Sequence, residues 1–235
     1  MVLNEGDFVK VEYRAWRAAD NALVYTTDVE EAKKAGIFDE NVTYGPHLVI
    51  VGKGMVLKGI DAAMRDMDVG QTKKIELEPK DAFGERNPNL VRVLPVSDLK
   101  RRDINPYVGM TLDVDGVMAT VKSITSGRVV IDANHRFAGE KMIYEVKIVE
   151  KEETDEKKIA ALTEYHEVKQ SSVAVNADSV KILVKSGANR FDARYFVGKE
   201  DLVKDLMKYF GRINKVIIEE EHNRSDVEKE SEQKQ

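Results

Sequence analysis

The chain has 235 residues, 42% hydrophobic and 34% charged, with 37 Lys and Arg against 42 Asp and Glu for a formal net charge of −5. That mildly acidic balance offers no clustered positive field for a nucleic acid or an anionic membrane, and neither is expected as a partner. With no Cys anywhere, disulfides, thiolate metal sites and thiol nucleophiles are excluded together.

The N-terminus "MVLNEGDFVKVEY" has no basic-then-apolar leader pattern, and runs such as "LVIV" (48–51) are far shorter than the roughly 20 apolar residues of a bilayer span. A soluble, cytoplasmic protein is expected. Residues 6–16 alternate, with Phe8, Val9, Val11 and Tyr13 among polar neighbours, and predict a strand with one wet face. "AADN" (18–21) reads as a turn and "ALVYTT" (22–27) as the returning strand. "DVEEAKKAG" (28–36) predicts a helix that stops at Gly36. A strand at 47–51 runs into the turn Gly52-Lys53-Gly54 and then a helix at about 59–67, where Ile60, Ala63, Met64 and Met67 form one apolar stripe. "QTKKIELEP" (71–79) alternates again and ends at Pro79.

The texture then changes, and three of the five prolines fall between 85 and 134. A small meander is predicted from Leu112 and Val114, the Asp115-Gly116 turn, Val117, Ala119 and Val121, Ser126-Gly127, and Val129 to Ile131. "MIYEVKIVE" (142–150) resumes a long alternating strand that suits the earlier sheet, so the segment between reads as an insertion. "KEETDEKK" (151–158) is a charged linker and helix start, continued by Ile159, Leu162 and Tyr165 at helical spacing. Strands follow at 173–176 and 180–185 with "KSGANR" as a turn. A helix is predicted over about 191–210, with Phe191, Tyr195, Leu202, Leu206, Tyr209 and Phe210 on one face, and "KVIIEE" closes as a strand. The last residues, "HNRSDVEKESEQKQ", are too charged and too poor in apolar groups to fold.

Nothing in this inventory attacks a bond. Gly52-Lys53-Gly54 lacks the third glycine of a dinucleotide fingerprint, because Leu57 stands there, and lacks the Gly-Lys-Ser/Thr of a phosphate loop. His47, His135, His166 and His222 are isolated, no G-x-S-x-G elbow occurs, and the acidic runs at 30–31, 152–153 and 219–221 read as solvated faces. No metal and no cofactor are expected. A pocket can still catalyse a reaction that breaks no bond, and rotation about an X-Pro amide is one. Its barrier of about 18–20 kcal/mol comes from amide resonance that the twisted transition state loses. A dry apolar cleft disfavours the polar planar amide and fits the twisted one, so packing and a few hydrogen bonds suffice.

"VGKGMVLKGIDAAMRDMDVGQTKKIELEPKDAFGE" (51–85), with "VEY" and "LVYTT" before it and "MIYEV" after it, resembles the core of the FKBP-type peptidyl-prolyl cis-trans isomerases. "NHRFAG" (134–139) is similar to the N-H-x-L-A-G motif that closes the insert-in-flap domain of the SlyD-like branch, and the C-terminal region resembles the extra domain of long-chain archaeal members. The resemblance implies an α+β fold with three parts. Residues 1–84 plus 133–152 would form a half-wrapped antiparallel sheet around one helix, 85–132 an inserted small β-rich domain, and 153–222 a C-terminal α/β domain, before a disordered tail at 223–235. It implies a proline site between sheet and helix. Val56 and Leu57 match the wall whose backbone N–H takes the substrate carbonyl, and Ile60 matches the floor. Tyr13, Phe83 and Tyr144 match aromatic walls, Val24 an apolar one, and His135 and Phe137 resemble residues overhanging the pocket.

Three positions depart from the pattern. Tyr25 stands where the family has Asp, with Thr26 the candidate if the alignment slips by one; Phe83 replaces the frequent Tyr; Phe137 replaces Leu. If each lost polar group contributed a transition-state hydrogen bond of about 1.5 kcal/mol, the rate would fall by roughly one to two orders of magnitude. The insert carries Leu90, Val91, Val93, Leu94, Val96 and Leu99, more apolar residues than a small meander buries. Leu90, Val91, Val93 and Leu94 are therefore expected to bind unfolded, proline-containing polypeptides beside the site and raise their local concentration. The aromatic face of the long C-terminal helix is expected to be a partner surface, most simply for a homodimer through 153–222. The alternative to an isomerase with chaperone surfaces is a weak holdase that uses the same pocket for binding alone.

Overall fold

The computed structural model describes residues 2–114, 116–168, 170–185 and 193–221. Asp115, most of the "KSGANR" turn, Phe191, His222 and the tail lie outside the described residues. Among the described residues no helix is long and apolar enough to cross a membrane.

The fold is mixed α+β, built on three sheets. The first contains β1 (Phe8–Arg17), β2 (Ala22–Thr26), β3 (His47–Ile50), β4 (Thr72–Leu77) and β9 (Met142–Glu152) in the order β2-β1-β9-β4, with β3 paired to the first half of β1. All its pairings are antiparallel. The period-2 pattern works as expected on one face: Val9, Val11 and Ala15 of β1 point inward with Met142, Tyr144, Val146 and Ile148 of β9. They close on Ile60 and Met64 of α2 (Lys58–Met64) and on Met67 just beyond it. Helix α1 (Val29–Lys34) is capped by Asp28, whose side chain accepts from the N–H groups of Glu30 and Glu31. It ends at Gly36, with φ +68°.

The inserted sheet has the order β5-β8-β7-β6, made of β5 (Val91–Pro95), β6 (Thr111–Val114), β7 (Val117–Thr125) and β8 (Arg128–Asp132), with α3 (Val96–Lys100) between β5 and β6 in the chain. Strand β5 and helix α3 are not expected from the sequence pattern, and they change the apolar accounting. Leu99 is buried in the insert's own core and Leu94 and Val96 pack against it, while Val91 pairs with Asp132 in the ladder. The surplus read from 90–99 therefore shrinks to Leu90 and Val93, the latter 58% exposed.

The third sheet is β10 (Gln170–Val175), β11 (Ser179–Lys185) and β12 (Lys215–Glu221), preceded by α4 (Asp155–Tyr165) and crossed by α5 (Ala193–Tyr209). The parallel pair β11–β12 is joined through α5, as a parallel connection requires. Two expectations need correction here. The second face of β1 is not wet at its start: Phe8, Leu48 and Ile50 share a core with Ile159 and Leu162 of α4, Val180 and Ile182 of β11, and Leu202 and Leu206 of α5. Tyr209 and Phe210 meet the Phe8 ring at 6.1 and 5.7 Å, so the aromatic end of α5 finds its cover within the chain. Tyr165 is half-exposed rather than internal.

Candidate active site: an aromatic cavity over a glycine turn

The turn after β3 is fixed by backbone geometry. Gly52 has φ +78°, a backbone conformation that favours glycine, and a Cβ there would lie 2.7 Å from Cγ of Glu5 and push that side chain aside. Its N–H donates to Oδ1 of Asp61 in α2 at 2.7 Å, which ties the turn to the helix it precedes. Met55 Sδ accepts from the Ile50 N–H at 3.3 Å. These contacts hold Met55, Val56 and Leu57 as a wall. Leu57 precedes α2 with no side-chain cap, and among the described residues the N–H groups of Val56 and Leu57 have no acceptor.

That wall is one side of a cavity of about 420 Å³. Strands β1, β2 and β9 bring Tyr13, Val24, Tyr25 and Tyr144 to it; α2 brings Ile60; the segment after β4 brings Phe83; the return from the insert brings His135, Arg136 and Phe137. All ten residues expected at or over a pocket thus line one cavity, and their rings surround the space without filling it. Leu90, Val91, Val93 and Leu94 lie apart, in the insert. Met55 and Arg136 join the lining unexpectedly; the signal for each was adjacency, since Met55 precedes Val56 in the same turn and Arg136 sits between two expected residues. Thr26 is not part of it. Its hydroxyl donates to Glu31 Oε2 at 2.6 Å and accepts from the Asp28 N–H, so it supports α1 and Tyr25 alone faces the cavity.

The rings form two groups. Tyr13 stacks on Tyr25 at 5.1 Å and tilts toward Tyr144 at 6.3 Å, while the Tyr25 hydroxyl is 3.3 Å from Nε2 of His47. Opposite, Phe83 stacks on His135 at 4.1 Å and meets Phe137 at 5.6 Å. Burial, reinforced by the neighbouring phenols, pushes the Tyr13 hydroxyl far above the usual tyrosine range, and burial raises Tyr144 to about 12. Burial lowers His47; burial and the charge of Arg136 lower His135. At neutral pH the phenols and imidazoles are therefore uncharged. The site holds hydrogen-bonding groups and apolar walls but no nucleophile.

Asn134 explains why "NHRFAG" stands at the return. Its Oδ1 accepts from the Asn87 N–H at 2.8 Å and its Nδ2 donates to the Asn87 carbonyl at 2.9 Å, clamping the two chain segments that enter and leave the insert. Behind it, buried Asp132 accepts from the Asn134 N–H at 2.9 Å and Nδ2 at 2.7 Å, and pairs with Arg86. His135 does both things considered for it: it lines the cavity, and its Nδ1 accepts from the Phe137 N–H at 3.2 Å. Burial alone would raise the Asp132 pKa, but the Asn134 hydrogen bonds and the Arg86 charge outweigh it and the net shift is downward. Its stabilisation is thus complete above the unfolded carboxyl value of about 3.9 and is lost as pH falls through the lower folded value. Hydrogen exchange should show 133–139 opening more readily near pH 3 than at pH 6. Asp132→Ala should cost about 1–3 kcal/mol and remove that acid dependence; an unchanged pH profile in the variant would refute the assignment.

The model of the FKBP-type peptidyl-prolyl cis-trans isomerases matches residues 2–100, which include the glycine turn, α2 and most of the cavity wall. Residues 2–100 belong to that family. A second family model, described as FKBP26, IF domain, matches residues 92–137 of this FKBP. A short-type peptidyl-prolyl cis-trans isomerase of Methanocaldococcus jannaschii is 29% identical over 147 residues, 63% of this chain and 92% of that protein. The SlyD FKBP-type isomerase of Helicobacter pylori is 23% identical over 143 residues, 60% of this chain and 77% of that protein. A probable FKBP-type 16 kDa isomerase of Pseudomonas fluorescens is 28% identical over 150 residues, 61% and 96% of the two chains. This FKBP therefore couples an isomerase sheet to an insert of the FKBP26 type.

Proposed function

We propose that this FKBP isomerises X-Pro bonds in unfolded polypeptides of the cytoplasm and holds those chains on surfaces outside the cavity. In this reading Tyr13, Val24, Tyr25, Val56, Leu57, Ile60, Phe83 and Tyr144 form the proline site, overhung by His135 and Phe137. The observation that carries it is the aromatic cavity, charged only at its rim by Arg136, beside two wall N–H groups without acceptors among the described residues. A proline ring on Ile60 would leave its amide in a dry medium, where the planar, polar form loses its solvation and the twisted form does not. The wall N–H groups would hold a substrate carbonyl through the rotation.

The same reading divides the chain as expected from its sequence: isomerase at 1–84 plus 133–152, insert at 85–132, C-terminal part at 153–222. Exposed Leu90, Val93, Tyr107, Val108, Val117 and Met118 give the insert an apolar surface, and its outer strands β5 and β6 leave backbone groups open to an added strand. In the C-terminal part, Tyr165, Phe196, Val197 and Met207 are exposed. They, not the covered Tyr209 and Phe210, would make a homodimer contact, and a monomer mass by light scattering at micromolar concentration would count against it.

A holdase that binds without catalysis is the second reading, favoured by Tyr25 and Phe83 in place of polar groups. A proline-limited refolding assay at catalytic concentrations separates them. Acceleration is expected, and Val93→Asp with Val117→Asp should lower kcat/KM about tenfold on an unfolded protein while leaving tetrapeptides unchanged. No acceleration would leave only the holdase.

A further inference from the structure

We propose that Arg136 makes the cavity select X-Pro segments with an acidic side chain next to the proline. The inference rests on the cavity being the proline site, and adds a substrate class to it.

The cavity lining contains one formal charge. The tyrosines and histidines around it are neutral at pH 7, for the reasons given above, and no carboxylate lines it. Arg136 is exposed at the rim, between His135 and Phe137, and its guanidinium sits 4.5 Å from the centre of the Phe137 ring. Phe137 in turn packs on Phe83, so the stack holds the cation in place over the opening instead of leaving it to sweep through solvent. Among the described residues Arg136 has no ion-pair partner, whereas Arg14 and Arg17 have two each and Arg86 has one. In a chain with 42 acidic against 37 basic residues, an uncompensated guanidinium beside a cavity is the exception.

Two further observations support a field that acts inside. The charge of Arg136 contributes to lowering the His135 pKa, so it is felt by a ring that lines the wall. Tyr25 stands where the resemblance leads one to expect Asp, and its hydroxyl faces His47; the carboxylate that would have offset Arg136 is missing. A negative side chain adjacent to the proline would therefore meet an unopposed positive potential, and a lysine there would be repelled. Because the rim is solvated, the effect is modest, roughly two- to fivefold per unit charge, and it must fade as salt shortens the Debye length to about 3 Å at 1 M.

The test uses full-length protein and peptides bearing Glu, Gln or Lys in turn one residue before or after the proline. Both kcat/KM and Kd are measured for the natural chain, Arg136→Gln and Arg136→Glu, at low and high salt. The Glu-to-Lys ratio should exceed about fourfold in the natural chain at low salt, approach one in Arg136→Gln, and invert in Arg136→Glu. An equal ratio in all three proteins would overturn the proposal. If no peptide is isomerised but the Kd ratio follows the charge at 136, the selectivity stands and the isomerase reading falls.

Discussion

Gly198→Ala should damage the C-terminal part more than any other single-methyl change. A Cβ at 198 would lie 2.1 Å from the backbone oxygen of His166, where α5 crosses the end of α4. A side chain in the way could rotate; this carbonyl cannot. The turn is held by the Val168 N–H on the Thr163 carbonyl at 2.8 Å and by the His166 ring on Asp205 at 2.9 Å. Helix α5 would have to move instead, and its far end is packed on Phe8 of the isomerase sheet. Overpacking costs about 1–3 kcal/mol and occasionally more, against roughly 1 kcal/mol that alanine regains in helix propensity. Because the obstacle is backbone, a net loss near the top of that difference, about 2 kcal/mol, is expected, with faster hydrogen exchange in β11. Gly211→Ala is the control, because nothing lies within 4 Å of a Cβ there. Equal melting temperatures for the two variants would refute the argument. The prediction matters for function because the same core fastens the C-terminal part to the sheet that carries the cavity.

The features legible in the sequence were those set by local spacing. Glycines at 52 and 54, the stripe through Ile60 and Met64, and the alternation of β1 and β9 each follow from a few neighbouring residues; the cavity itself was placed by the resemblance those residues carry to the FKBP core. The insertion was legible because an alternating strand stopped at Pro79 and another resumed at Met142. What escaped was decided at long range. Period-2 alternation says that Phe8 and Val9 point to opposite faces, but not that residues some 200 positions later, Tyr209 and Phe210, will cover the face Phe8 is on. The strand β5 escaped because "VRVLP" is short and ends in proline, and its apolar residues then looked like surplus. Tyr25 could be seen to replace an acid, but its stacking on Tyr13 and its contact with His47 come from strands paired only in the fold.

Phe83→Ala and Phe83→Tyr, taken together, decide how the site lowers the barrier. The Phe83 ring is the only aromatic group among the described residues that touches both His135 and Phe137, so removing it opens the cavity to water and unseats the overhang. A fall in kcat/KM of about ten- to hundredfold is expected, equivalent to roughly 1.4–2.8 kcal/mol. Stability should change little, because the ring is only half-buried. Phe83→Tyr keeps the ring and adds the hydroxyl that the family pattern usually has. If catalysis waited on that hydroxyl, a hydrogen bond of about 1.5 kcal/mol would raise the rate roughly tenfold. If exclusion of water is the larger effect, the tyrosine variant stays within about twofold of the natural chain, and this second result is expected. An alanine variant with nearly full activity beside a tyrosine variant ten times faster would move the source of catalysis from the dry wall to a polar group. The neutral phenols already present argue against that outcome: Tyr13 is half-buried and stacked on Tyr25, and the Tyr25 hydroxyl is already engaged with His47.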